Sequence, residues 1–311
     1  MAEIKKILIA NRGEIVQRAI RTIKEMGKKS VAVYSAGDKN ASYLKHADEA
    51  VCIGGAKSSE SYLNIPALIT AAEMTGCDAI FPGYGFLSEN QDFVEICKLH
   101  NIKFIGPSSE VMEKMADKSK AKEEMVRAGV PVVPGSKGAV HSVTEGKKVA
   151  LEIGYPIMAK AAAGGGGRGM RLIKEESEFD QLFMAASSEA LAAFGDGTMY
   201  LERFINNPRH IEVQVVGDSH GNAIHIGERD CSLQRRHQKV IEESPAILLN
   251  DETRAKLHDV AVKATKYLKY EGAGTFEFLA DDKQNIFFME MNTRLQVEHP
   301  VSEMVSGIDI V

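Results

Sequence analysis

Short apolar runs alternate with amphipathic stretches over roughly the first third of the chain. Residues 7–10 form a continuous apolar run, which is typical of a parallel strand buried on both faces. A helix that ends at Gly27 should follow, and its buried face is predicted to contain Ile15, Ala19, Ile23 and Met26. Further strands are predicted at 30–34, 79–81 and 103–105, with helices at 65–74 and 91–100. This alternation predicts a doubly wound, mostly parallel α/β sheet.

The pattern changes after this region. One helix is predicted over 110–128, followed by a Pro- and Gly-rich linker over 132–138. A small α+β module is predicted from strands at 156–160, 170–173 and 199–202 and a helix at 179–193. After Pro208 we expect strands at 211–215 and 223–226, a polar stretch, a helix at 252–268 and a final strand pair. The predicted division is therefore 1–117, a connecting helix at 118–131, the small module at 132–204 and a C-terminal part at 205–311.

Composition narrows the classes of function. The chain has 311 residues with 44% hydrophobic, 26% charged and 6% aromatic residues, and its net charge is −5, so a nucleic-acid-binding surface is not expected. The four cysteines contain no CxxC pair, which argues against a zinc cage or a disulfide framework. No apolar run approaches membrane-spanning length, and no signal peptide precedes the first strand. We therefore expect a cytoplasmic protein without a membrane or nucleic-acid partner.

Glycine-rich segments follow several predicted strands. The turns at 11–13 and 82–85 either face a ligand at the carboxyl ends of the strands or only reverse the chain. Neither turn has the spacing of a dinucleotide-binding motif, and no Walker A loop is present. The run Gly164–Gly167 lies between two apolar strands and is flanked by Lys160 and Arg168. A flexible linker is the alternative, but this position favours a phosphate-binding loop that closes over a nucleotide.

A candidate metal site lies in the final strand pair. Alternation places Glu290 and Asn292 on one face of a strand, and a four-residue loop at 282–285 would place Glu277 opposite Glu290. Carboxylates directly opposite each other repel, and a bound cation would relieve that repulsion. Two carboxylates and an amide oxygen suit Mg²⁺. Incidental acids on an exposed strand are the alternative.

Two polar stretches offer further chemistry. Within 292–300, Arg294 has the planar fork that clamps a small anion, and Glu298 would serve as a general base if its pKa lay near neutral. A surface loop of charged residues is the alternative. The stretch 228–239 is dense in cations, and in an acidic chain it favours an anionic small molecule over nucleic acid. Cys231 with His237 is a poor candidate for a thiol nucleophile, because no third group orients the pair.

Six sequence blocks resemble those of biotin carboxylases and occur in the same order. They are 11–15, 82–90, the glycine loop, 228–239, 274–278 and 290–300. The resemblance implies an ATP-grasp core with a glycine-rich lid after the doubly wound domain. Family members extend past the equivalent of Val311, so it also implies that the C-terminal part is incomplete in this sequence, with the family's biotin-binding Arg in the missing part.

The resemblance also implies roles for individual residues. The ATP phosphates would be bound by Lys118, Lys160, Gly166 and Gly167. The adenine pocket would contain Glu202, Arg203 and Ile205, and the ribose or phosphate side would be contacted by His210, Gln234 and His237. Two Mg²⁺ or Mn²⁺ ions would be held by Glu277, Glu290 and Asn292. Bicarbonate would be surrounded by Lys239, Arg294, Gln296 and Val297, with Glu298 as the base.

The implied reaction is ATP-dependent carboxylation of biotin by bicarbonate through carboxyphosphate. Its implied partners are a biotin carboxyl carrier protein and a carboxyltransferase, which selects the acyl acceptor, and the full-length protein would be a homodimer. Two departures from the family pattern are conservative: Ala163 in place of a glycine and Arg203 in place of a lysine. The alternatives are another ATP-grasp carboxylate–amine ligase and a nucleotide-binding chain without turnover.

Overall fold

The computed structural model describes residues 3–161, 169–236 and 238–311, without the side chains of Lys118, Ser119 and Phe194. The chain divides into two compact units. The first consists of Met1–Val130, His210–Phe278 and Phe288–Val311, and the second of Pro131–Arg209 and Leu279–Phe287. Segments far apart in the sequence therefore contribute to each unit.

The N-terminal sheet is parallel and has the strand order β3-β2-β1-β4-β5. Its strands are β1 (Lys6–Ile9), β2 (Lys29–Tyr34), β3 (Glu49–Cys52), β4 (Ala79–Phe81) and β5 (Lys103–Phe104), and its helices are α1 (Glu14–Glu25), α2 (Ile65–Thr75) and α3 (Gln91–Leu99). The central strand β1 is apolar because both of its faces are buried. Leu8 belongs to one hydrophobic core, and Ile7 and Ile9 belong to another. The predicted doubly wound domain is therefore confirmed.

Two details of this domain differ from the prediction. No strand was predicted at β3, whose residues are mostly exposed. Met26 was expected on the buried face of α1 but is 60% exposed, because the helix ends at Glu25 and the chain turns away from the core.

The predicted helix over 110–128 is two helices, α4 (Ser109–Ala116) and α5 (Lys118–Arg127). Asp117 separates them with an extended backbone, at ψ 116°. Its carboxylate accepts a 3.0 Å hydrogen bond from the backbone N–H of Lys120. An aspartate in this position caps a new helix, which is why the single predicted helix is broken here.

The second unit contains a three-stranded antiparallel sheet with two helices. Its elements are α6 (Val143–Ile153), β6 (Ile157–Ala161), β7 (Met170–Ile173), α7 (Phe179–Phe194) and β8 (Met199–Arg203), and the strand order is β7-β6-β8. The segment 132–138, predicted as a linker, pairs instead with β8. The Ser136 N–H donates to the Leu201 carbonyl at 2.8 Å, and Pro134 accepts from the Arg203 N–H at 2.8 Å.

A five-stranded sheet with the order β11-β10-β9-β12-β13 contains the C-terminal strands. The elements are β9 (Arg209–Gly217), β10 (Ala223–Arg235), β11 (Gln238–Glu243), α8 (Asp251–Tyr267), β12 (Gly272–Ala280), β13 (Ile286–Asn292) and α9 (His299–Ser306). The polar stretch 228–239 is therefore mostly strand, and its charged residues Glu228, Arg229 and Asp230 are buried. Over the described part of the chain, no helix has the length and apolar character needed to cross a membrane.

The hairpin between β12 and β13 is longer than predicted. The strands end at Ala280 and resume at Ile286, and the Asp281 N–H donates to the Asn285 carbonyl at 3.0 Å. The loop therefore includes Asp281, and the predicted four-residue loop at 282–285 is wrong. The Asp281 carboxylate accepts hydrogen bonds from the backbone N–H groups of Lys283 and Asn285 inside the turn, which explains why Asp281 belongs to the loop.

Candidate active site

Lys239 on β11 is the centre of a cluster of acidic side chains in the first unit. Its Nζ donates to Glu212 Oε2 at 2.5 Å, to Glu277 Oε1 at 3.0 Å and to Glu298 Oε1 at 2.7 Å. These acids come from β9, from β12 and from the turn before α9. Burial disfavours the ammonium, but the charges of Glu212 and Glu277 outweigh it and raise the pKa of Lys239. Lys239 is therefore a permanent cation in the pH range where enzymes work.

Glu277 connects this lysine to the predicted metal ligand Asn292. Glu277 Oε1 accepts from Asn292 Nδ2 at 2.8 Å and from Gln296 Nε2 at 3.1 Å, and Glu277 Oε2 lies 2.9 Å from His210 Nε2. Burial raises the pKa of Glu277, but the contact with His210 and the charge of Lys239 dominate and lower it to about 2. The carboxylate is therefore ionised and is a hard ligand.

The residues present suit a divalent cation. Glu277 and Asn292 are in contact, and Glu290 lines a cavity of about 250 Å³ together with Asn292. His210 Nε2 is buried without a hydrogen bond of acceptable geometry, 2.9 Å from Glu277 Oε2. Among the described residues, His210, Glu212 and Glu277 also place ligand atoms within 4.8 Å of one another. Carboxylate and amide oxygens such as those of Glu277, Glu290 and Asn292 are hard ligands that suit Mg²⁺ or Mn²⁺.

Arg294 is held by a carboxylate from the N-terminal domain. Its Nε donates to Glu89 Oε2 at 2.8 Å, and its Nη2 donates to Asn292 Oδ1 at 3.0 Å. Glu89 Oε1 also accepts from the backbone N–H of Thr293 at 3.0 Å. The anion clamp predicted at Arg294 thus lies next to Asn292, in a fixed orientation.

The glycine-rich turns lie at the same edge of the parallel sheet. Asn11 Nδ2 donates to the carbonyls of Pro82 and Tyr84, each at 2.8 Å, which joins the two turns. Pro82 and Gly83 line a cavity of about 140 Å³ together with Arg294. The hypothesis that these turns face a ligand site therefore gains support, because the cavity at the strand ends contains the candidate anion clamp.

The pKa of Glu298, the predicted base, is shifted away from neutral. It is half-buried, and burial raises its pKa, but the hydrogen bond and the charge of Lys239 lower the pKa below the usual range rather than holding it near neutral. The condition of a near-neutral pKa is therefore not met in this arrangement, because an ion pair favours the charged form. Glu298 is ionised and can accept a proton, and Val297 beside it is 62% exposed.

The structure describes some of the residues that were predicted to contact the ribose or phosphates of the nucleotide. Gln234 Nε2 lies 3.2 Å from His210 Nδ1 and donates to the Cys231 carbonyl at 2.9 Å, so Gln234 and His210 are neighbours. His237, the side chain of Lys118, and Gly166 and Gly167 lie outside the described residues. Cys231 is fully buried, and burial raises the pKa of its thiol, which argues further against a thiol nucleophile.

The predicted adenine-pocket residues belong to the second unit. Lys160 on β6 forms an ion pair with Glu202 on β8. In the strand pairing Glu202 lies opposite Met158, two residues from Lys160, so the two charged side chains are diagonal neighbours on one face of the sheet. The Arg203 side chain donates from Nη2 to the Ile153 carbonyl at 2.7 Å, and Ile205 is half-buried. Lys160 and Glu202 are therefore brought together, and Arg203 is fixed by α6.

The sequence did not predict a role for three residues that organise the site: Glu89, Glu212 and Arg229. Arg229 was assigned to a polar stretch, yet it is fully buried and donates to Glu212 Oε1 at 2.6 Å. One signal was available, since Glu212 and Gln214 interrupt an otherwise apolar strand. A charge inside a buried strand requires a partner of opposite charge, and Arg229 lies on the next strand along the chain.

Comparison with known proteins gives the family. Residues 3–112 match the model of the biotin carboxylase N-terminal domain, and residues 117–311 match that of the carbamoyl-phosphate synthase L chain ATP-binding domain. A biotin carboxylase from Nostoc sp. is 57% identical over 306 residues, which are 98% of this chain and 68% of the relative. The chain belongs to the biotin carboxylase family. The antiparallel sheets that follow the parallel domain are accordingly those of an ATP-grasp fold.

Two solved structures of the family share this fold. A biotin carboxylase–β-γ-ATP complex from Campylobacter jejuni has 69% sequence identity and a TM-score of 0.84, covering 99% of this chain and 69% of that one. The biotin carboxylase domain dimer of the Hydrogenobacter thermophilus 2-oxoglutarate carboxylase, in complex with MgADP, ADP and bicarbonate, has 51% identity and a TM-score of 0.81, covering 100% of this chain and 68% of that one. This chain therefore spans a little over two thirds of their length.

Proposed function

We propose that the chain performs the ATP- and bicarbonate-dependent step of biotin carboxylation, with biotin on a carrier protein as the acceptor. The supporting observation is that Lys239 contacts Glu277 and Glu298 at the same time. Glu277 is the proposed metal ligand and Glu298 the proposed base, so one cation joins the two halves of the site. The bicarbonate held in the Hydrogenobacter thermophilus relative and the β-γ-ATP held in the Campylobacter jejuni relative suit these two halves.

In the proposed reaction, Glu298 accepts the proton of bicarbonate, and an oxygen of the resulting dianion attacks the γ-phosphorus of ATP. ADP leaves and carboxyphosphate forms. Lys239, Arg294, Gln296 and the backbone of Val297 would surround the anion, and positive charge there stabilises the developing negative charge. Mg²⁺ or Mn²⁺, held by Glu277, Glu290 and Asn292, would neutralise the ATP phosphates when bound.

The second stage transfers the carboxyl group. Carboxyphosphate breaks down to CO₂ and phosphate, the phosphate takes the N1 proton of biotin, and N1 attacks CO₂. Lys118, Lys160, Gly166 and Gly167 are proposed to hold the ATP phosphates, while Glu202, Arg203, Ile205, His210, Gln234 and His237 contact the rest of the nucleotide. The full-length protein is proposed to be a cytoplasmic homodimer that works together with a carboxyltransferase.

The proposal is tested by ATP hydrolysis with and without bicarbonate and free biotin. We expect hydrolysis that requires bicarbonate and is stimulated by biotin. Glu298→Gln should abolish it, whereas Asp282→Asn, which removes an exposed carboxylate in the hairpin loop, should leave it unchanged. Bicarbonate-dependent hydrolysis that biotin does not stimulate would indicate a different ligase, such as a carbamoyl-phosphate-forming enzyme. Thermal stabilisation by Mg·ATP without turnover would indicate a nucleotide-binding chain only.

A further inference from the structure

Arg229 on β10 is fully buried, and all its guanidinium nitrogens have acceptors. Nε donates to Glu212 Oε1 at 2.6 Å, while Nη1 donates to Gln214 Oε1 at 3.0 Å and to Ser302 Oγ at 2.7 Å. Nη2 donates to Gln296 Oε1 at 2.8 Å and lies 3.5 Å from Thr275 Oγ1. A guanidinium has five N–H donors in a fixed plane, and each has an acceptor here. The side chain therefore has one stable orientation.

Two of these acceptors, Gln296 and Ser302, lie on either side of the proposed base Glu298 in the sequence. Gln296 precedes Glu298 by two residues and Ser302 follows it by four, so Arg229 holds the chain on both sides of Glu298. A third connection runs through side chains, because Glu212 binds Arg229 with Oε1 and Lys239 with Oε2, and Lys239 binds Glu298. The position of Glu298 is thus fixed by contacts to the chain before it and after it, and by the contact of its own carboxylate with Lys239.

We propose that Arg229 is a positioning residue that keeps Glu298, Gln296 and Lys239 in the arrangement needed to bind and deprotonate bicarbonate. The inference rests on the proposed function of that site. Arg229 is buried behind these residues and acts through them. A lysine could replace one or two of its hydrogen bonds but cannot reproduce the planar fork, so Gln296 and Ser302 would lose their shared anchor.

A purely structural role is the competing explanation, and Arg254 provides the control. Arg254 on α8 donates from Nε to the buried Glu228 at 2.9 Å, and it also donates to Asp251 and to the carbonyls of Ala246 and Leu249. None of these is a proposed bicarbonate-site residue. Arg254→Lys therefore weakens an ion pair to a buried carboxylate without disturbing Gln296 or Glu298, and both lysine variants are expected to lower the melting temperature.

The kinetic test compares KM for bicarbonate with KM for Mg·ATP. Arg229→Lys should raise KM for bicarbonate about 10- to 100-fold and leave KM for Mg·ATP within about twofold, because groups that orient a site have effects of this size. Arg254→Lys should change neither. Ser302→Ala removes only one acceptor of Arg229, so it should fold and raise KM for bicarbonate in the same direction by a smaller factor. Equal kinetics in Arg229→Lys, Arg254→Lys and wild type would overturn the proposal.

A crystal structure of Arg229→Lys tests the positioning role without any measurement of turnover. The segment from Gln296 to Ser302 should shift or lose order, while Glu228 and Arg254 retain their contact. If Gln296 and Glu298 keep their positions, Arg229 does not position them. If wild type shows no bicarbonate-dependent hydrolysis, the proposed function fails, whereas this structural result still decides the role of Arg229. If Arg229→Lys does not fold, the Ser302→Ala structure decides: Gln296 and Glu298 unmoved would overturn the proposal.

Discussion

The guanidinium of Arg294 donates from Nε to the carboxylate of Glu89, 205 residues earlier in the sequence, at 2.8 Å. Glu89 follows the glycine-rich turn after β4 and also accepts from the backbone and the hydroxyl of Thr293. The turn of the parallel domain and the candidate anion clamp of the ATP-grasp core are therefore joined by one carboxylate.

Loss of the Glu89 charge should weaken the anion clamp. Glu89→Gln keeps a hydrogen-bond acceptor but removes the ion pair, so Arg294 should become less ordered and KM for bicarbonate should rise about tenfold. Steady-state kinetics against bicarbonate measure the effect. Asp92→Asn, at a nearby exposed carboxylate on α3, should behave like wild type. A normal KM in Glu89→Gln would show that Arg294 does not depend on this carboxylate.

Removal of the Lys239 ammonium should affect the three acids around it together. Lys239→Met leaves Glu212, Glu277 and Glu298 without their shared cation, so the pKa values of Glu277 and Glu298 should both rise. Bicarbonate-dependent hydrolysis should fall by about 100-fold or more, since an electrostatic contact to the reacting anion is lost. Lys263→Met, on the exposed surface of α8, is the matched control. Retained hydrolysis in Lys239→Met would exclude a role for this lysine in the chemistry.

Acid should destabilise the fold partly through Glu228. Burial raises the pKa of this carboxyl, but the contacts with His258 and Arg254 dominate and lower it from 4.5 to about 2. Because the folded-state pKa is the lower one, the stabilisation is complete above the unfolded value and is lost as the pH falls from about 4.5 to about 2. Urea unfolding of wild type and Glu228→Gln at pH 6 and about pH 3 should show a difference that shrinks with acid by on the order of 2 kcal/mol. An equal difference at both pH values would contradict the assignment.

Gly83 should resist substitution more than Gly85 in the same turn. Both have a positive φ, 65° and 71°, so alanine pays a similar backbone cost at each position. Only at Gly83 would a Cβ contact other atoms, namely Ile15 Cγ1 at 3.1 Å and Asn11 Nδ2 at 3.2 Å, whereas nothing lies within 4 Å at Gly85. Gly83→Ala should therefore be less stable than Gly85→Ala by about 1 kcal/mol or more in chemical unfolding. Equal losses would indicate that Asn11 and Ile15 adjust freely.

The helix break at Asp117 should depend on the side-chain cap. Asp117→Ala removes the acceptor for the Lys120 N–H and should cost about 1 kcal/mol, while Asp117→Asn should cost much less. Thermal or urea unfolding measures both. Equal stability of the alanine and asparagine variants would mean that the cap contributes nothing.

The sequence predicted the parallel sheet well because its central strand is buried on both faces and must be apolar. It did not predict β3, which is exposed, or the break at Asp117, which depends on a single cap. The site was predicted where residues are close in sequence, as in the segment from Asn292 to Glu298. Contacts such as Arg229 with Glu212 and Arg294 with Glu89 depend on tertiary pairing, which a local pattern of charges does not specify.

Transfer of oxygen from bicarbonate to phosphate tests the central claim most directly. If bicarbonate attacks the γ-phosphorus of ATP, ¹⁸O-labelled bicarbonate must leave a labelled oxygen in the inorganic phosphate released when carboxyphosphate breaks down, and mass spectrometry detects it. We predict labelled phosphate with wild type and Asp282→Asn, and none with Glu298→Gln. Phosphate released by wild type without the label, with its new oxygen taken from water, would contradict the proposed reaction.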